Sequence, residues 1–245
     1  MPRNIQELVN SQILRAQIVA KENAENGEGI ERPVVTISRG MGSGARIIAE
    51  KLAKDLGWTL WSKELLDAVA NDAQVSRSVV EAFDEKTISE VELLIHDLLG
   101  DHERGSFLYI RHLIAVVSCI AKAGNAIILG RGANFIVPNA LKVRIDAPEE
   151  LRVQNMMDFE NLSEPEAQSR IRRSDRERRA FLIKYFGKDN VGHCVYDVCL
   201  CMCTFTNDQA TEILDLAIRS KFKIKRGATR RPQATENCSL EELRR

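Results

Sequence analysis

Residues 33–57 read PVVTISRGMGSGARIIAEKLAKDLG. Pro33–Ile37 is a short β-branched apolar run bounded by Pro33 and Ser38, the pattern of a buried strand. It leads directly into a glycine-rich turn at Gly40–Gly44. A helix is expected from there to about Leu56, with Ile47, Ile48, Leu52 and Leu56 facing inward and Gly57 as its stop. A strand, a glycine-rich turn and a helix N-terminus in succession make an anion site. The glycines let backbone N–H groups turn inward, and the helix dipole favours negative charge. Arg39 and Arg46 flank the turn, and two cations near a helix N-terminus are unfavourable unless an anion offsets them.

Three readings of this turn compete. A dinucleotide-binding fingerprint would use Gly40 and Gly42 with Ala45 in the third position, but the acidic residue it wants after the second strand is missing. A triphosphate-binding loop of the form GxxxxGK[ST] would place Ala45 at its lysine and Arg46 or Ile47 at its hydroxyl. Shifting the register by one gives Arg46 the lysine position. The third reading is a strand–helix turn without a ligand.

Working outward, Thr59–Trp61 reads as a second short strand. Residues 63–123 read as helices: one beginning at Ser76 as its cap and running towards Phe83, one over Ser89–Leu99, and a long apolar one over Phe107–Lys122. Ala126–Leu129 and Lys142–Ile145 are buried strands, and a helix follows Pro148 to about Phe159. Ser163, Pro165 and Glu166 spell a helix start with a capping box. Val195–Met202 is the last strand and Asp208–Phe222 the last helix. Strands alternating with helices predict an α/β fold, an open parallel sheet covered on both faces. Residues 1–32 form an N-terminal helix (3–24) and a polar linker, residues 33–222 the main domain, and residues 223–245 a tail expected to be disordered. The apolar stripe of the N-terminal helix is expected to pack on the core or on a second subunit, giving a homodimer.

The chain has 245 residues, and 35 Lys and Arg balance 35 Asp and Glu. Zero net charge and 5% aromatic residues argue against a nucleic-acid partner. No apolar run approaches the roughly 20 residues of a membrane span, and no signal sequence is visible, so a cytoplasmic location is expected. Cys199, Cys201 and Cys203 alternate along the last strand and are read as buried, reduced thiols on one face. A metal site shared with His193 is the lesser alternative, because the spacing does not match a zinc knuckle.

Arginines carry the remaining signal. Gly130-Arg131-Gly132 follows a strand at its C-terminal end, where open α/β sheets hold their ligands, and an arginine there can clamp a phosphate in a bidentate manner. Arg170, Arg172, Arg173, Arg176, Arg178 and Arg179 crowd one helix, interleaved with Asp175 and Glu177. A salt-bridged, solvated helix is the bland explanation; the consistent use of arginine favours planar phosphate recognition.

The strings ISRGMGSGARIIAEKLAKDLG, GRGANFIVPNALKVRIDAPEELRV and LSEPEAQSRIRRSDRERRAFLIKYFGKDN, with YDVCL before the last helix, resemble the cytidylate-kinase-like family of P-loop kinases over about 33–222. The resemblance implies a P-loop NTPase of nucleoside-monophosphate-kinase type. Its parts would be a five-stranded parallel sheet with helices on both faces, a helical acceptor-binding insertion (63–123) and an arginine-rich lid (162–190). It implies ATP-dependent phosphoryl transfer to a CMP- or dCMP-like nucleoside monophosphate or another small phosphorylated acceptor. Gly42, Ser43 and Gly44 would cradle the donor phosphates, with Arg39, Gly40, Ala45 and Arg46 around them. Arg46 and Arg131 would act on the phosphates, Arg131 holding that of the acceptor, while Arg172, Asp175 and Arg178 would close from the lid. Mg²⁺ would bridge the donor phosphates, with Ser38 and Asp146 as the candidate protein ligands. In true cytidylate kinases an aspartate that contacts the acceptor nucleoside stands where this chain has Gly132. Ser62 also replaces an acidic residue, and Cys201-Met202 a polar pair. Ala45 and Ser62 motivate the alternative of a nucleotide-binding regulatory protein with little or no turnover.

Overall fold

The computed structural model describes residues 33–81, 85–99, 108–187 and 195–224, together with Ser11 and Leu14. Apart from those two residues, the expected N-terminal helix lies outside the described residues, as do the tail beyond residue 224 and His193. In chain order the elements are β1 (Val34–Arg39), α1 (Ala45–Leu56), β2 (Thr59–Trp61), α2 (Lys63–Asn71), α3 (Ala73–Glu81), α4 (Glu85–Leu99) and α5 (Leu108–Ala123). They continue with β3 (Ala126–Leu129), α6 (Ala133–Ile136), β4 (Leu141–Asp146), α7 (Glu149–Glu160), α8 (Glu164–Phe186), β5 (Val198–Cys201) and α9 (Asn207–Phe222).

The five strands form one parallel sheet in the order β2-β3-β1-β4-β5. Alternation along the strands divides the core in two. Val35, Ile37, Ile127, Leu129, Val143 and Ile145 face α1 and α9. Val34, Ile128 and Trp61 face α2 to α5. Helix α5 is apolar almost all round because it is buried between the sheet and the other helices of that layer. The central strand β1 is where the chain changes direction across the sheet: β2 and β3 lie on one side, β4 and β5 on the other. The C-terminal ends of β1, β3 and β4 therefore open into a common crevice, the place where parallel α/β sheets bind ligands.

Four local expectations are corrected. Ile47 is 38% exposed and does not face the core; Ile48, Leu52 and Leu56 supply the buried stripe of α1. Ser76 does not cap a helix. Asp72 does so, its Oδ1 accepting from the amides of Gln74 (3.0 Å) and Val75 (3.1 Å), and Ser76 lies buried one turn inside α3. The last strand spans only Val198–Cys201. Cys199 and Cys201 do share a side, but it is exposed, because β5 is an edge strand that buries Leu200 instead; Cys203 lies in the turn beyond the strand and is exposed too. Among the described residues no group of His, Cys, Asp or Glu is placed to hold a metal ion.

The turn into α9 is held by a reciprocal cap. The Thr206 hydroxyl accepts from the Gln209 amide (3.2 Å), and Gln209 Oε1 accepts from the Thr206 amide (3.0 Å). The cap fixes Asn207, whose side chain lies against Gly44 of the glycine-rich turn. Thr206→Ala is expected to cost about 1 kcal/mol of stability, read as a lower urea midpoint with unchanged slope.

Candidate functional site

The turn 40–44 links β1 to α1 and is gripped from outside by α7. The Gly40 amide donates to Ile145 O (3.1 Å). Arg152 Nε donates to Met41 O (2.7 Å) and Asn155 Nδ2 to Gly42 O (2.7 Å). The N–H and C=O of a trans peptide point in opposite directions. Holding the Met41 carbonyl against α7 therefore turns the Gly42 amide away from it. Gly42 has φ +78°, and a Cβ there would lie 2.5 Å from the Arg152 carbonyl oxygen, so only glycine allows the two backbones this contact. The amides of Ala45, Arg46 and Ile47 begin α1, where no intrahelical acceptor exists. Gly44 offers no side-chain cap and the first turn has no acidic residue. Ser43 Oγ is buried without a partner among the described residues.

This loop floors a cavity of about 550 Å³ lined by Arg39, Gly40, Gly42, Ser43, Gly44, Ala45 and Arg46, with Arg178 reaching in from α8. A second cavity of about 190 Å³ lies beside it, lined by Ser38, Lys63, Arg131 and Arg144. Arg39 and Arg178 line both.

The cations of this crevice crowd one another. Arg39 is held below the usual guanidinium range by burial, and by Arg46 and Arg131 against the opposing pull of Glu64. Its Nη1 is buried without a partner among the described residues. Arg178 is pushed down to about 10 by burial and by Arg39, Arg152 and Arg144, which Asp175 opposes only in part. Its Nη1 donates to Arg39 O (2.9 Å) and stands 3.7 Å from Asp175. Burial works against the charge of Glu64, but its own backbone amide, the Ser62 hydroxyl, Arg39 and Arg46 outweigh it and hold the carboxyl below its ordinary range. Arg131 is gripped in a bidentate manner by Asp67, which also accepts from Tyr109 (2.6 Å), and its guanidinium lies 5.0 Å from the Phe181 ring centroid.

The sequence profile of the cytidylate kinase-like family matches residues 34–204. The chain belongs to that family. No curated protein matches it. Among solved structures it is similar to an uncharacterized protein from Eubacterium ventriosum, with 23% identity, 77% of this chain and 99% of that one covered, and a TM-score of 0.50. It is also similar to shikimate kinase from Bacteroides thetaiotaomicron (12% identity, 76% and 98% covered, TM-score 0.43). A third is shikimate kinase from Acinetobacter baumannii in complex with shikimate (14% identity, 78% and 96% covered, TM-score 0.39). The fold is the P-loop kinase fold with its five-stranded parallel sheet and helices on both faces, and the family is one of kinase-type phosphotransferases.

Against the cytidylate kinase-like pattern, the structure brings together most of the expected residues. Arg39, Arg46, Arg131 and Arg178 reach the crevice with the whole loop. Asp175 stands behind them, bound to Arg152 (2.7 Å). Arg172 does not join them: it is exposed, 3.5 Å from Glu149, and lines neither cavity. Ser62 caps α2 by accepting from the Leu65 amide (3.4 Å), and Glu64, two residues on, supplies an acid to the cavity. Arg152, Asn155, Glu64 and Asp67 were not singled out from sequence. Gly132 has φ +68°, and a Cβ there would lie 2.3 Å from Phe186 Cε2, so the aspartate of true cytidylate kinases has no room. Gly132→Ala should cost about 1–3 kcal/mol in chemical denaturation, and adding Phe186→Leu should return the steric part of that loss.

Proposed function

We propose that this protein transfers the terminal phosphoryl group of ATP to a nucleoside monophosphate or another small phosphorylated acceptor. The observation that carries the reading is that Arg39 and Arg178 line both cavities. The larger one, floored by Ser43 and the first-turn amides of α1, suits the donor polyphosphate. The smaller one, with Lys63, Arg131 and Arg144, suits the acceptor phosphate. An in-line displacement between them forms a bond from an acceptor oxygen to the γ-phosphorus and breaks the bond to the β-phosphate oxygen. The charge on the transferring group develops beside the two shared arginines, which are already in place to receive it. A phosphate acceptor is largely ionised near neutral pH, so the reaction needs no general base.

The residues present do not make a Mg²⁺ site. Ser38 Oγ is turned to Asn134 Oδ1 (3.4 Å), and Asp146 is held by Arg144 and the Ala147 amide. The side chain after the lysine position is Arg46, a cation where a hydroxyl ligand would be needed. No step of the proposed transfer is assigned to a protein-bound metal.

Gly132 stands where true cytidylate kinases carry an aspartate that contacts the acceptor nucleoside, so CMP and dCMP belong in a panel with AMP, UMP and non-nucleoside phosphates. The second reading, a nucleotide-binding regulator with little or no turnover, is favoured by one arrangement. Ala45 is buried at the lysine position, Arg46 is paired with Glu50 (2.9 Å), and Arg131 is paired with Asp67.

An assay of ADP release across the acceptor panel separates the two. The kinase reading expects acceptor-dependent ADP formation; ATP binding with no transfer to any acceptor leaves the regulator. In the active case Arg178→Ala should lower kcat about 10²-fold or more while ATP affinity falls less. Arg131→Ala should act chiefly on the acceptor KM. Equal losses of kcat and ATP affinity in Arg178→Ala would contradict a transition-state role.

A further inference from the structure

Seven carboxylates stand around the crevice, and each already has a cationic neighbour; Glu177, on the lining of the smaller cavity, is paired with Arg173 (3.0 Å). Glu50 is paired with Arg46 (2.9 Å) and Glu160 with Arg170. Asp175 is paired with Arg152 (2.7 Å), Asp146 with Arg144 and Asp67 with Arg131. Glu64 stands within the fields of Arg39 and Arg46. The one hydroxyl of the loop, Ser43 Oγ, is buried without a partner among the described residues.

A divalent cation bound by protein and phosphate together takes one or two carboxylates from the protein. Here all but Glu64 would have to leave an arginine first, and a metal drawn to Glu64 would meet the charges of Arg39 and Arg46. The cations, in contrast, lack negative charge. Among the described residues, Arg39 has a buried, unpartnered Nη1, and Arg178 has only a carbonyl and a distant Asp175 as partners. A triphosphate that arrives with a divalent cation has lost about half of the charge these groups would neutralise.

We infer that this site takes its polyphosphate ligand as the metal-free anion, with Arg39 and Arg178 neutralising charge that a bound divalent cation supplies elsewhere. Building on the proposed function, this names the form of the donor. It also explains why Ala45 and Arg46 stand where a lysine and a hydroxyl would be expected: both belong to a phosphate–metal arrangement, and neither is needed where arginines from β1 and α8 converge on the phosphates.

The test is calorimetric titration of the full chain with ATP and with inorganic tripolyphosphate, in EDTA and in excess MgCl₂ at matched ionic strength. ATP should bind in EDTA at least as tightly as in MgCl₂, and Arg178→Gln should weaken the EDTA binding about tenfold or more while the melting temperature of the unliganded protein is monitored for folding. If MgCl₂ tightens ATP binding more than threefold, or if Arg178→Gln folds and binds unchanged, the inference is overturned and the kinase reading stands. If ATP binds in neither condition but tripolyphosphate binds in EDTA, the nucleotide reading falls and the metal-free anion site stands. Binding of neither overturns both.

Discussion

The guanidinium of Arg152 holds the site together. Its Nε donates to Met41 O and its Nη2 to Asp175 Oδ2, both at 2.7 Å, so one planar group spans the glycine-rich loop and helix α8. Its side chain is only 11% exposed. A charge so buried is tolerated when it is paired and hydrogen-bonded, and removing either partner leaves it uncompensated. The apolar contacts beneath it reinforce the arrangement: Val153 and Met156 of α7 pack with Ala167 and Ile171 of α8, and Met41 of the loop lies against the same cluster. Three residues beyond Asp175, Arg178 reaches back to the Arg39 carbonyl. The loop, α7 and α8 thus form one unit, and the arginine-rich helix is docked on the loop.

That docking explains how a chain of zero net charge holds a strongly cationic crevice. Paired arginines such as Arg144 and Arg46 build the walls, and Arg39 and Arg178 are left incompletely compensated in the middle. The concentration of arginine also fits the geometry. A planar fork can bind a backbone carbonyl on one edge and present N–H groups to an anion on the other, which an ammonium group does less well. Arg178 uses its Nη1 for the Arg39 carbonyl, so positioning and ligand capture can be shared by one side chain.

Much of this was legible in the sequence. The β-branched run, the glycine turn and the helix stop at Gly57 delimit β1, the loop and α1, and Gly130-Arg131-Gly132 marks the end of β3. These signals are local, set by backbone conformation and by a period of two or 3.6. Arg152 gave no such signal. It sits in a charged helix with little amphipathic pattern, and its role depends on a carbonyl more than 100 residues away in sequence. Asp67 lies 64 residues from Arg131 and is likewise unannounced. Asp72 was within reach, since an aspartate just before an Ala-Gln-Val start is a good cap, but Ser76 offered the same chemistry one turn later. The cysteines show the limit of alternation. Period two establishes that Cys199 and Cys201 share a face, and only the edge position of β5 makes that face the exposed one.

The start of α1 limits the charge that the loop itself can carry. Helix α1 begins at Ala45, which is buried, so the lysine position carries no charge and its side chain is spent on the core. Arg46 lines the cavity but is tied to Glu50 one turn along, so its charge comes from the rim. Positive charge inside the crevice therefore has to come from its walls: Arg39 from β1 and Arg178 from α8. Those two walls are joined by the same contacts that dock α8, and an anion placed between the arginines relieves their repulsion without breaking any of these bonds. Occupancy of the loop and docking of α8 are consequently linked. A ligand that neutralises Arg39 and Arg178 strengthens the docked arrangement by as much as that arrangement strengthens the ligand's binding.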